Sequence, residues 1–217
     1  MALPNVLFCT KHEFFKKLIY KHLKLPSFKE IEIEARLGRI TNLITKKRIN
    51  YQVEHPIVFS RLPNELCFEN GVDKQDFAQI KNTIMEGQRT NNICDKVTIC
   101  NKIRRIESPE GTVYEKKVRL SSFDIYLPEF KYDIRISVSK ETKAEARDFF
   151  NAKNPFTRTR ERVSCQSGPF SFDFTKASKG MENGDSKVFE VEMELKDPDI
   201  GLDGFVDILF NLPVIKR

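Results

Sequence analysis

No two cysteines in this 217-residue chain have CxxC spacing, and the five present, Cys9, Cys67, Cys94, Cys100 and Cys165, are an odd number with no histidine spaced to complete a zinc set. That excludes a zinc ribbon and a disulfide scaffold, and it leaves reduced thiols of a cytoplasmic or nuclear protein as the expectation. The three histidines, His12, His22 and His55, are too scattered to share a metal or to form a catalytic pair. No cysteine lies in a nucleophile motif. No run reaches the roughly 18 apolar residues that span a bilayer, so neither a membrane anchor nor secretion is expected. No internal repeat or low-complexity tract is present, which sets repeat architectures aside.

Charge is abundant. Charged residues make up 31% of the chain and hydrophobic ones 40%, a balance that suits a soluble globular protein, and the length fits a single domain over residues 1–217. The net charge of +6 points to an anionic partner, with nucleic acid, a phosphorylated ligand and an acidic membrane all compatible.

The most informative pattern is acidic. Ile31-Glu32-Ile33-Glu34-Ala35-Arg36 and Phe189-Glu190-Val191-Glu192-Met193-Glu194-Leu195 place glutamates at every second position between apolar residues. Strand side chains alternate between faces, so five carboxylates share one face of two strands. Like charges about 7 Å apart cost roughly 2 kcal/mol at an effective dielectric near 20. A divalent cation relieves that repulsion, because Mg²⁺ and Mn²⁺ favour carboxylate oxygens. A solvated face of two surface strands is the alternative, and the recurrence of the pattern weighs against it.

Helices are predicted over residues 10–24, 74–85, 143–151 and 205–212, with Asp73 capping the second. Strands are predicted over 43–51, 55–60, 95–106, 112–120, 130–140, 157–165, 169–175 and 187–196, besides the first glutamate segment. Many strands with few helices imply an antiparallel β protein, a barrel or two packed sheets. Phe14, Phe15, Phe149, Phe150, Phe170, Phe172 and Phe174 could stack bases, but they sit at amphipathic spacings opposite polar residues and are assigned to the core.

The middle strands also keep one apolar and one charged face. Asp133, Arg135, Ser137, Ser139 and Glu141 share a face, as do Arg158, Arg160 and Arg162; Glu115, Lys117 and Arg119; and Ser171, Asp173 and Thr175, while Lys102 and Arg104 form a further basic pair. Three same-face arginines suit phosphate, which a guanidinium clamps bidentately. If the sheet closes with these faces inward, the lumen has acidic and basic walls, and helices must cover the apolar exterior.

In these segments the chain resembles the yeast-type and viral RNA triphosphatases of the triphosphate tunnel metalloenzyme family. The resemblance rests on Glu32-x-Glu34-x-Arg36-x-Gly38, Arg158-x-Arg160-x-Arg162-x-Ser164, Asp173-x-Thr175 and Glu190-x-Glu192-x-Glu194, and it covers about residues 28 to 197. It implies a mainly β fold with flanking helices, a closed antiparallel eight-stranded tunnel with a charged lumen. It implies removal of the γ-phosphate from 5′-triphosphate RNA during cap formation, with NTP hydrolysis as a side activity and Mg²⁺ or Mn²⁺ as cofactor.

By motif position, Glu32, Glu34 and Glu194 would be metal ligands, with Glu192 holding a metal-bound water. Arg158, Arg160, Arg162, Lys117 and Arg135 would contact phosphates, with Arg104 beside them. Glu141 would position the attacking water, and Asp173, Arg36 and Glu190 would support these groups from behind. The family often has lysine where Arg160 stands, which keeps the charge and changes the geometry. A guanylyltransferase module in cis or in trans would be the partner, and the compact size resembles the viral branch, whose chains continue past the position of Arg217. A viral factory, a virion or the nucleus would be its location. Other tunnel-fold enzymes acting on inorganic triphosphate or polyphosphate share these residues. A non-catalytic basic barrel that binds nucleic acid explains the arginines but has no use for the glutamates.

Overall fold

The computed structural model describes residues 17, 31–100, 102–150, 155–178, 187–196, 204 and 205. Among them, ten strands form one antiparallel sheet: β1 (Ile31–Asn42), β2 (Ile57–Phe59), β3 (Leu66–Asn70), β4 (Thr90–Cys100), β5 (Ile103–Ser108), β6 (Gly111–Tyr126), β7 (Asp133–Lys143), β8 (Phe156–Ser167), β9 (Phe170–Ser178) and β10 (Lys187–Leu195). Helix α1 (Lys74–Met85) precedes β4 and the short α2 (Ala146–Phe150) precedes β8.

The sheet runs in the order β10-β9-β8-β4-β5-β6-β7-β1 and closes through a β1–β10 pairing, giving an eight-stranded barrel. Strands β3 and β2 lie outside that ring. Residues Ile33 to Arg36 of β1 pair with β10, and Gly38 to Asn42 pair with β3. The first strand therefore exchanges one neighbour for another at its midpoint.

Alternation then sets the layers. On β1, β7, β9 and β10 the apolar positions point outward, and Ile33, Ala35, Leu37, Ile134, Ile136, Val138, Phe172, Phe174, Val191 and Met193 form the core on the outside of the barrel wall. Helix α1 covers it. Phe77 meets the rings of Phe174 at 5.8 Å and Phe189 at 5.2 Å, and both Phe77 and Ile80 are buried. Each such side chain contributes about 1.5–3 kcal/mol. A second cluster of Ile40, Ile49, Leu66 and Tyr126 packs beside β3. Asp133, fully buried, accepts hydrogen bonds from the backbone N–H of Ile40 and Leu127 and from the Arg48 guanidinium, tying the 43–50 turn to the barrel.

The predicted helix at 74–85 is present, although Asp73 makes no side-chain capping bond and pairs with Arg39 instead. Phe149, Phe170, Phe172 and Phe174 are buried, as the core assignment requires. Several boundaries differ. Residues 43–51 form a turn with one isolated bridge at Arg48 rather than a strand, because Lys47, Asn42 and Thr45 close tight backbone and side-chain bonds there. The strand predicted over 95–106 is two, broken where Lys102 takes a positive φ of 67°. Strand β3 was not predicted, since Leu66–Asn70 is short and lacks clean alternation. β7 continues through Lys143, so α2 is shorter than the predicted 143–151. The helix predicted at 10–24 lies outside the described residues except for Lys17, and of 205–212 only Phe205 is described.

Gly38, the last residue of the first glutamate motif, stands where β3 crosses closely. A Cβ there would lie 2.3 Å from the Glu69 carbonyl oxygen and 2.6 Å from the Phe68 ring. Gly38→Ala is therefore expected to lower stability by about 1–3 kcal/mol in urea melts, since overpacking against backbone finds no flexible partner to yield. An unchanged midpoint would show that β3 is not held against β1.

Candidate active site

Residues on the opposite side of these strands face the lumen. Strand alternation turns Glu32, Glu34 and Arg36 of β1 inward, and the register sets Glu34 opposite Glu194 and Arg36 opposite Glu192 of β10. On the other flank of β1, Glu32 and Glu34 face Ser139 and Ser137 of β7, both fully buried. Such short side chains leave the space that the carboxylates fill. Strand β8 contributes Arg158, Arg160 and Arg162, β9 contributes Asp173, and the β6–β7 pairing sets Lys117 opposite Glu141.

These groups enclose a cavity of about 200 Å³. Among the described residues its wall carries Glu32, Glu34, Glu115, Glu141, Asp173, Glu192 and Glu194 against Arg36, Arg104, Lys117, Arg158, Arg160, Arg162 and Lys196. Seven carboxylates thus match seven cations, and the lumen is formally neutral. A polyphosphate entering it brings several uncompensated negative charges.

The pairing is specific. The Lys117 ammonium donates to Glu32 and to Glu34 at 3.3 Å and lies 3.1 Å from Glu141, so one cation serves three carboxylates. Arg36 donates to Glu34 at 2.9 Å and reaches Glu192 at 3.2 Å. Arg160 makes a two-pronged bond to Asp95 at 2.7 and 2.6 Å, Arg162 lies 2.9 Å from Asp173, and Arg158 donates to Glu190 at 3.0 Å. Arg104 donates to Glu115 at 3.0 Å and, at 3.5 Å, to Glu141. Glu194 pairs with Lys196 at 2.6 Å.

Of the residues singled out in the sequence, Glu32, Glu34, Arg36, Arg104, Lys117, Glu141, Arg158, Arg160, Arg162, Asp173, Glu192 and Glu194 line one cavity. Glu190 stands just beyond it, holding Arg158 and the Asn70 amide. Arg135 is not brought to the cavity wall. Its guanidinium is engaged two-pronged by Asp124 at 2.7 and 3.0 Å and lies 4.6 Å over the Phe68 ring. Lys102, expected beside Arg104, sits in the β4–β5 turn. The sequence reading missed Asp95, the partner of Arg160, because a single acid between Ile93 and Val97 carries no motif.

Electrostatics follow the crowding. Burial, reinforced by Glu34 and Glu141, pushes the Glu32 carboxyl up from 4.5 to about 7 despite Lys117. Burial also raises Glu192, more than Arg36 lowers it. For Glu34 burial is outweighed by Arg36 and Lys117, and its pKa falls below the ordinary value. Burial would depress Lys117, but Glu34 and Glu32 hold it above its usual range. The Glu34 Oε1 atom is buried without a hydrogen-bond partner. No three acidic, imidazole or thiol groups among the described residues stand together as a ready-made ion site, and the lumenal glutamates are instead paired with Lys117, Arg36, Arg104 and Lys196. The all-oxygen donor set, the orphaned Glu34 oxygen and the neutral lumen nonetheless fit a hard divalent ion arriving with an anionic substrate.

The family model of the mRNA capping enzyme beta chain matches residues 9–115 and 102–204. Two solved structures share the fold: S. pombe Pct1 RNA triphosphatase, with TM-score 0.70 and 18% identity, and the same protein in complex with the Spt5 CTD, with TM-score 0.71 and 17% identity. Each comparison covers 97% of this chain and 96% of the other. No curated protein sequence matches the chain.

The carboxyl trio around Lys117 makes a pH prediction. In metal-free protein, carboxyl NMR should show one lumenal glutamate titrating near pH 7, against an ordinary value of 4.5. Because the folded value is the higher, stability from this group is complete below pH 4.5 and is lost as the pH rises through 7. A Glu32 midpoint below 5 would contradict the crowding described above.

Proposed function

This chain belongs to the mRNA triphosphatase family, that of the mRNA capping enzyme beta chain, and on that premise we propose how its own side chains divide the work of an RNA 5′-triphosphatase. The enzyme is a hydrolase: it removes the γ-phosphate from the 5′ end of RNA during cap formation. The observation that carries the assignment of roles is the pairing of an acidic wall from β1 and β10 with an arginine wall from β8 around one small, charge-balanced cavity.

Water attacks the γ-phosphorus in line with the bond to the β-phosphate oxygen. The new P–O bond forms as that bridging bond breaks, leaving inorganic phosphate and a diphosphate-ended RNA. Glu141, half-buried and lowered by Lys117 although burial opposes it, is ionised and takes or orients the proton of the water. Arg160 and Arg162 hold the phosphate oxygens in fixed directions, because Asp95 and Asp173 brace their guanidinium planes. Lys117 and Arg104 add charge from the facing wall. Arg158 meets the phosphate nearest the nucleoside.

Glu32, Glu34 and Glu194 would hold a divalent ion, Mg²⁺ or Mn²⁺, with Glu192 reaching it through water. When bound, the ion supplies the positive charge that the neutral lumen lacks. With Glu32 and Glu34 so engaged, the Lys117 ammonium that now donates to them would be available to phosphate. A guanylyltransferase, in cis or in trans, takes the diphosphate end onward.

The test is release of labelled phosphate from γ-labelled triphosphate-ended RNA, with and without Mg²⁺ or Mn²⁺. Glu32→Ala and Glu194→Ala should keep the far-UV spectrum of the parent and lose turnover by roughly a hundredfold or more. Several kcal/mol of charge stabilisation is at stake, at about 1.4 kcal/mol per tenfold. Near-normal release from either variant would remove that residue from the ligand set.

A further inference from the structure

The inward face of the tunnel changes character at one end. Along β8 the inward positions run Arg162, Arg160, Arg158 and then Phe156; along β9 they run Asp173, Thr175 and then Ala177; along β10 they run Glu194, Glu192, Glu190 and then Val188. The register sets Ala177 opposite both Arg160 and Val188, two inward positions short of Phe156, and one cavity brings the three apolar side chains together. On the other side of β8, Phe156 stands opposite Ile99 of β4. Three neighbouring strands therefore replace charge by hydrocarbon at the same mouth.

This rim bounds a second cavity of about 390 Å³, lined in part by Phe156, Ala177, Val188, Arg158, Asn70 and Glu190. Arg158 lines both cavities and joins them. Phe156 is 51% exposed, an unusual cost for a ring at the end of a charged tunnel. Two buried polar atoms of the wall, the Arg158 Nε–H and the Asn70 Oδ1, have no hydrogen-bond partner among the described residues. An exposed aromatic face and a guanidinium at the edge of a phosphate channel are groups that recognise a single unpaired nucleotide.

We infer that this mouth binds the first nucleoside of the triphosphate-ended substrate, with the base against Phe156, while Arg158 spans the phosphate nearest the sugar. The inference rests on the triphosphatase reading of the tunnel and extends it to substrate class. Inorganic polyphosphate has no group that an apolar rim could hold. A nucleotide does, so the rim directs the enzyme toward nucleotide ends. Because stacking accepts every base, the rim confers preference for a nucleoside without preference for a sequence.

The experiment compares kcat/KM for ATP and for inorganic tripolyphosphate in the parent protein, Phe156→Ala and Phe156→Trp. Phe156→Ala should collapse the preference for ATP over tripolyphosphate by about tenfold, chiefly through KM, and Phe156→Trp should restore it. An unaltered ratio, or equal loss on both substrates with a lowered Tm, would overturn the inference and make the ring a packing element. Should the parent hydrolyse neither compound, the release assay on triphosphate-ended RNA decides the triphosphatase reading. Calorimetry with ATP and tripolyphosphate then decides the rim independently: an ATP preference that Phe156→Ala abolishes supports it, and equal binding of the two ligands in the parent refutes it.

Discussion

One ammonium shared by three carboxylates sets the terms for the tunnel. Lys117 on β6 reaches Glu141 on the adjacent β7 and Glu32 and Glu34 on the next strand, β1. Burial pushes the Glu32 carboxyl up, Glu34 and Glu141 add to the rise, and Lys117 offsets it only in part. The arrangement leaves the acidic wall in want of a further cation. It also places the one ammonium of the trio where a divalent ion would free it for phosphate. In the proposed roles, charge matching more than shape would select a metal and a polyphosphate together.

A polar interior imposes a reversed barrel. Since glutamate and arginine occupy the inward positions, the apolar side of the wall faces out, and it must be buried against something other than the lumen. Helix α1 does this over β9 and β10 through Phe77 and Ile80. The closure of β1 on β10 is needed for both layers at once, because it brings Glu34 beside Glu194 on the inside and Ala35 beside Met193 on the outside. The exchange of β10 for β3 along β1 explains the small residue at Gly38, where backbone comes too close for a side chain.

The arginine wall is held by acids rather than left free. Asp95 and Asp173 fix two guanidinium planes, so in the proposed phosphate-binding role less order would have to be created on binding. Arg135 shows the opposite outcome of the same chemistry. Its pairing with Asp124 and its position over Phe68 make it part of the frame, and alternation alone could not separate it from Arg158, Arg160 or Arg162.

Alternation was legible without coordinates because a strand has a period of two: five glutamates and three arginines at every second position had to share faces, and their order along the chain carried the family resemblance. The inward set from Glu32 to Glu194 follows from that period and from closure. Other features depend on which strand lies next to which. The partnership of Asp95 with Arg160 and the seating of Arg135 over Phe68 arise from neighbours distant in sequence, which local pattern does not encode. So does the meeting of Phe156, Ala177 and Val188 at one mouth, three residues unremarkable in their own segments. Sequence determined the chemistry of each face, since side-chain direction is a local property of the backbone; tertiary structure decided which charges met, because register and ring closure are properties of the whole sheet.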